Sequence, residues 1–150
     1  MRQWRRPFVR AVTRLAAGAT QVEADRVQLQ QVVLNLVTNA LEAMAGTPAE
    51  QRELLVASCR EQGDEDMVVV SVQDHGTGIA EDVLPRIFDA FFTTRDDGMG
   101  MGLAICRSIV EAHGGTLVAR RRRSGGSEFM FRLPVFHPAA PAGLAAAHEP

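Results

Sequence analysis

Three stretches of this chain place side chains with binding chemistry at regular spacing. In QLQQVVLNLVTNALEAM, residues 28–44, the polar residues Gln28, Gln31, Asn35, Asn39 and Glu42 recur at steps of three or four, so on a helix they share one stripe. A merely solvated face normally carries Lys, Arg and Glu. Here the middle of the stripe is amide, although asparagine weakens a helix interior because its side chain competes for backbone hydrogen bonds. Taken alone, the stripe is equally a polar seam against a neighbouring element or a ligand-facing surface. In DHGTG, residues 74–78, Asp74 follows an apolar run and precedes Gly76 and Gly78. As a bare motif this is a turn leaving a strand. As a site it is a carboxylate at a strand end, beside backbone stripped so that a flat ligand can lie against it. A carboxylate accepts from an exocyclic amine such as that of adenine. Guanine presents a carbonyl oxygen there, and acceptor facing acceptor loses about 1–3 kcal/mol.

The third stretch is RDDGMGMGLAICRSIVEAHGG, residues 95–115. Gly98, Gly100 and Gly102 allow successive N–H groups to turn toward one point, and the helix that follows adds a positive end of about half a charge. Phosphate suits such a place, whereas a flexible linker is the plain alternative. Known phosphate loops are excluded by composition and spacing. All 16 basic residues are Arg, so the Lys of a P-loop is missing. The spacing GxGxG is neither the dinucleotide fingerprint nor the protein-kinase glycine loop.

These residues need elements to hold them. FVRAVTRL (8–15) reads as a strand, and TQVEAD after the AAGA turn as a short extended piece. Asp25 with Gln28 three positions on is a helix cap with a reciprocal partner. The helix runs from Arg26 to about Ala45 with Leu29, Val32, Val33, Leu36, Val37, Ala40, Leu41 and Met44 on its apolar face, and Gly46, Thr47 and Pro48 end it. ELLVASC (53–59) and MVVVSVQ (67–73) form a hairpin. EDVLPRIF (81–88) reads as a short helix, residues 89–102 as an irregular, glycine-punctuated lid. A helix over 103–112 ends at the HGG of 113–115. TLVARRRR and EFMFRLPV form a second hairpin across SGGS. Strands flanking two amphipathic helices predict an α+β fold, a two-layer sandwich whose mixed sheet is covered on one face by helices. Residues 1–7 read as a linker remnant, 8–135 as one domain, and 136–150 as a disordered Ala/Pro tail.

Composition narrows the function classes. A net charge of −2 argues against nucleic acid or an anionic membrane as a bulk electrostatic partner. The run Arg120–Arg123 reads as a solvated strand edge beside a turn. No apolar run is long enough to span a bilayer. Two cysteines, Cys59 and Cys106, cannot build a disulfide framework and read as inert core residues; a reducing, cytoplasmic setting is expected. Phe88, Phe91 and Phe92 read as anchors of the lid in the core.

In order along the chain, these pieces resemble the ATP-binding catalytic domain of bacterial sensor histidine kinases, in the superfamily that also holds DNA gyrase, the Hsp90 chaperones and mismatch-repair ATPases. QLQQVVLNLVTNALEAM resembles its N box, DHGTGI its first glycine box, IFDAFFTTR its F box, GMGMGLAICRSIVEAHGG its second glycine box and SGGSEFMFRLP its last. The "EAM" and "FFTT" variants look most like the oxygen- and nitrogen-sensing branch. The resemblance implies a Bergerat-type ATP-binding fold, ATP as substrate and Mg²⁺ held by Asn39, with Asn35 nearer the phosphates. Asp74 would hold the adenine amino group; Gly76, Gly78 and Ile79 would flank the base. Thr94 and Arg95 belong to the lid, with Arg95 where the family often has Lys, while Gly98, Gly100, Gly102 and Leu103 would meet the phosphates. In the hydrolysing relatives a Glu occupies the position of Asn35 and activates water. An amide cannot take that proton.

The implied reaction is transfer of the γ-phosphoryl group to a histidine on a separate dimerisation and phosphoacceptor segment, with a response regulator downstream and no contact with nucleic acid or membrane. No H box is found: His75, His113, His137 and His148 do not fit one, and only seven residues precede the first strand, against the strand and helix the family places there. A fragment, a truncated product or a partner covering the exposed face would each account for this. Two alternatives stand beside the kinase: a regulatory module that holds nucleotide without transfer, and a serine kinase that inhibits a sigma factor. Asn35 in place of Glu counts against the second.

Overall fold

The structure, a computed structural model, describes residues 8–16, 21–61, 63, 66–92 and 102–138. Strand β1 (Arg10–Arg14) leads to helix α1 (Arg26–Ala43), then β2 (Glu53–Glu61), β3 (Met67–Gln73), helix α2 (Gly102–Ala112), β4 (Thr116–Arg121) and β5 (Ser127–Pro134). The five strands form one sheet in the order β1-β2-β3-β5-β4. β1 lies parallel to β2 and every other neighbour is antiparallel. The sheet is therefore mixed, and β5 inserts between β3 and β4.

Pleat register decides which side is buried. Val56 stands opposite Val72, Val72 opposite Phe129, and Leu117 opposite Phe131, so these side chains share one face. Against it pack Val32, Leu36, Ala40 and Met44 of α1 and Cys106, Ile109 and Val110 of α2, which close a single core with Leu54 and Leu133. Burying each of the larger side chains contributes about 1.5–3 kcal/mol. The opposite face is polar at its end: Glu128 is buried there beneath Gln73, which donates to it, and Arg120, paired at 2.5 Å. Two layers with helices on one side are the predicted architecture.

Local departures have local reasons. Helix α1 stops at Ala43, and Arg52 donates to the carbonyls of Thr47 (2.7 Å) and Ala45 (3.0 Å) in the segment beyond it. The Asp25 carboxylate does accept the Gln28 N–H at 3.1 Å, but the reciprocal bond to the Asp25 N–H comes from His113 Nε2 at 3.0 Å, 88 residues away. His113 Nδ1 meets the Ile109 carbonyl at 2.7 Å, so Nδ1 carries the proton and Nε2 accepts. Residues 81–88 hold only a 3-10 turn, Leu84–Arg86, with Pro85 in it, rather than a helix. β4 ends at Arg121 because Arg122 is already in the turn, bonded to Gly126 and Gly125.

Phe88 meets Phe129 edge to face, with centroids 6.3 Å apart, which anchors the segment after the Asp74 loop in the core. Phe92 lies instead under the Arg86 guanidinium, 4.6 Å from its ring centroid. Phe91 is not an anchor at all: it is 76% exposed and holds a positive φ of 66°. Cys59 is exposed rather than in the core, because its place in the pleat follows Leu55 and Ala57, away from the helices. Cys106 is buried as expected, and burial pushes its thiol pKa up. The predicted tail begins with an ordered contact, the Phe136 N–H bonding the Gln21 carbonyl at 2.7 Å; residues 139–150 lie outside the described residues.

Candidate functional site

Asp74 follows the last residue of β3 and is 1% exposed. A carboxylate that deep needs donors, and three among the described residues converge on it. Oδ1 accepts the Gly76 N–H at 2.8 Å and the Ser127 N–H at 3.2 Å, while Oδ2 accepts the Ser127 hydroxyl at 2.6 Å. A carboxylate offers about four lone-pair positions, so among the described residues one on Oδ2 remains for a further donor.

The backbone around Asp74 is fixed as well. Its N–H bonds the Ser127 carbonyl at 3.0 Å, and its own carbonyl accepts Arg122 Nη1 at 2.7 Å. Gly126, with φ of 82°, packs so close to that carbonyl that a Cβ would overlap it. On the other side, a Cβ at Gly76 would stand 2.5 Å from the carbonyl oxygen of Ala43. The loop is thus pressed onto the last turn of α1, where the His75 N–H reaches Met44 Sδ at 3.4 Å and Thr47 donates to the His75 carbonyl at 3.2 Å. Gly78 has φ of 78°, a conformation L side chains rarely adopt, and a Cβ there would crowd the Gly126 carbonyl oxygen at 3.2 Å. Ile79 packs partly buried against the core.

The amide stripe of α1 lies nearer the surface. Asn35 is half-buried and donates through Nδ2 to Cys106 Sγ at 3.6 Å, a contact that joins α1 to α2. Asn39 is half-buried one turn before Ala43, and so on the same helix end that the Asp74 loop touches. Gln28, Gln31 and Glu42 are exposed. Gly102 opens α2, and a Cβ there would meet nothing within 4 Å. Leu103 packs against the core. Thr94, Arg95, Gly98 and Gly100 lie outside the described residues. The fold therefore gathers Asp74, Gly76 and Gly78 with the end of α1, and α1 with the start of α2.

Sequence reasoning missed Ser127 and Arg122. Ser127 had a signal: a hydroxyl opening a strand directly after two glycines. Arg122 had none that singled it out from its three neighbours.

Three kinds of likeness meet in this geometry. Residues 24–137 match the profile of the family described as histidine kinase-, DNA gyrase B-, and HSP90-like ATPase. Among proteins, the chain is 52% identical over 120 residues to the sensor protein FixL of Bradyrhizobium diazoefficiens, covering 80% of this chain and 23% of FixL. The chain thus spans less than a quarter of the length of that relative. Among solved structures, the catalytic domain of histidine kinase ThkA superposes with a TM-score of 0.73 at 37% identity, covering 87% of this chain and 81% of that one. ThkA has also been solved in complex with the response regulator TrrA, a match of TM-score 0.67 and 35% identity that covers 85% of this chain and 34% of that one. Full-length ShkA in complex with AMPPNP matches with a TM-score of 0.72 at 32% identity, over 89% of this chain and 27% of that one.

Proposed function

The chain belongs to the histidine kinase-, DNA gyrase B-, and HSP90-like ATPase family, and on that premise we propose that it is the ATP-binding catalytic domain of a sensor histidine kinase. It holds ATP with Mg²⁺ and delivers the γ-phosphoryl group to a histidine on a separate dimerisation and phosphoacceptor segment, with a response regulator as the next acceptor. The observation that carries this reading is the buried Asp74 carboxylate, which among the described residues has three donors and one acceptor position left over. An exocyclic amine completes that set. In this reading Asp74 takes the adenine amino group, and Gly76, Gly78 and Ile79 flank the base.

The phosphate end is assigned to Asn35 and Asn39 on α1, to Thr94, Arg95, Gly98 and Gly100, and to Gly102 and Leu103 at the start of α2. A helix start supplies N–H groups with no partner inside the helix, suited to phosphate oxygens. The donor chemistry fits Mg²⁺ brought with the triphosphate, because the Asn39 side chain offers a hard amide oxygen. A cation that keeps most of its shell as water and phosphate oxygens, with one amide oxygen from Asn39, is what Mg²⁺ tolerates. When bound it neutralises charge on the phosphates.

The protein's part in the reaction is to hold and orient. The acceptor imidazole nitrogen attacks the γ-phosphorus, the bond to the bridging oxygen breaks, and ADP leaves. A neutral imidazole is already a nucleophile, so this domain needs no general base. Asn35 supplies none, and its amide is engaged with Cys106. No helix of the described residues is long and apolar enough to cross a membrane, and we place the domain in the cytoplasm, where ATP is available.

The test is transfer itself. Labelled ATP, Mg²⁺ and the chain are mixed with a helical hairpin carrying a cognate phosphoacceptor histidine. Acid-labile, base-stable label on the hairpin is expected. Nucleotide binding without label on any cognate hairpin would overturn the kinase assignment.

A further inference from the structure

The end of β4 and the turn after it send three arginines in three directions. Arg120 crosses to the polar face of the sheet and pairs with Glu128 at 2.5 Å. Arg122 reaches the Asp74 carbonyl at 2.7 Å. Arg121 stands directly opposite Ser127 in the β4–β5 pairing. Residues opposite one another across antiparallel strands project to the same face, and on that face Ser127 gives its hydroxyl to Asp74 at 2.6 Å. Arg121 therefore leaves the sheet on the side of the Asp74 pocket.

From there its side chain runs over Gly78: a Cβ at that glycine would lie 3.7 Å from both Cγ and Nε of Arg121. The stem is thus in van der Waals contact with the Gly78 loop, beside the Gly126 carbonyl. The residue is exposed, and among the described residues its guanidinium has no ion-pair or hydrogen-bond partner. An arginine without such a bond, lying along the wall of a pocket for a flat ring, presents a planar cation to whatever ring enters.

We propose that Arg121 is a base-contacting residue of this site, laying its guanidinium against the purine whose amino group Asp74 accepts. The inference rests on the nucleotide reading above and adds to it a third wall, the β4–β5 turn. A ring lying against the guanidinium is stabilised by the attraction of the cation to the π system, and the contact involves the base alone.

That last point makes it testable. Arg121→Ala is expected to weaken ATP, ADP and AMP by one common factor, about three- to thirty-fold, as measured by calorimetric titration. Arg121→Lys, which keeps the charge without the plane, should recover only part of the loss, and Arg123→Ala should bind as the unsubstituted chain does. Thermal unfolding without nucleotide should be the same for all of them. Equal affinity in Arg121→Ala overturns the inference while leaving the nucleotide reading intact; so does a loss confined to ATP and ADP, which would put the guanidinium on the phosphates. Failure of the unsubstituted chain to bind any of the three removes the nucleotide reading and this inference with it.

Discussion

The Asp74 pocket and the two asparagines of the α1 stripe use the same class of side chain, short polar groups that compete for backbone hydrogen bonds, and they end in different conditions. Asp74 is sealed at 1% exposure with three donors on its carboxylate and both backbone groups bonded. Along the stripe, Asn35 has given an amide hydrogen to a sulfur, a weak acceptor, while Gln28 and Gln31 are exposed. A buried carboxylate without fixed donors costs several kcal/mol, so the fold must complete its surroundings before any ligand arrives. An amide at the rim carries no such penalty. Recognition is therefore preorganised at the base end in our reading, with the phosphate end left for the ligand and its cation to organise.

This contrast is most exposed to disproof at Gly126. Alanine there must adopt φ near 82° and would overlap the Asp74 carbonyl; we expect a loss of about 2–4 kcal/mol in stability by urea denaturation. A midpoint like that of the parent would mean the turn is not wedged against Asp74. Next comes Ser127→Ala, which leaves the buried carboxylate one donor short and should cost about 1–3 kcal/mol, with Ser127→Thr restoring most of it. Equal stability of the Ala and Thr variants would contradict the clamp.

Along α1 the expected effects are smaller and of a different kind. Asn39→Ala should lower ATP affinity about ten-fold with Mg²⁺ present and leave it nearly unchanged in EDTA; a loss independent of Mg²⁺ would remove Asn39 from the cation. Smallest of all, Asn35→Ala should cost less than about 1 kcal/mol in stability, since it removes only an N–H to sulfur contact. A large loss there would show the stripe to be as firmly bonded as the pocket.

How much of this is legible in the sequence depends on the range over which each feature is decided. The period of Val32, Leu36 and Ala40 marks α1 locally, and the two hairpins announce themselves by alternation and turn chemistry. Strand order does not, because the insertion of β5 between β3 and β4 is chosen by which apolar faces meet. The same limit hides the partner of the Asp25 N–H, since His113 is brought there only when α1 and α2 pack. Composition misplaces Cys59 and Phe91: both are apolar, yet the pleat turns one outward and a positive φ turns the other. Asp74 is legible as a carboxylate at a strand end. The hydroxyl and the guanidinium that hold it come from the start of β5 and the turn before it, 53 and 48 residues away, and no local pattern ties them together.

Selection of adenine by the remaining acceptor position of Asp74 is the point on which the nucleotide reading stands or falls. Calorimetric titration of the chain and of Asp74→Asn with ATP and with GTP decides it. The parent is expected to bind ATP and to disfavour GTP strongly, and Asp74→Asn to lose about ten- to a hundred-fold in ATP affinity. Equal binding of the two nucleotides by the parent, or an ATP affinity untouched by the substitution, would show that the carboxylate does not read the base.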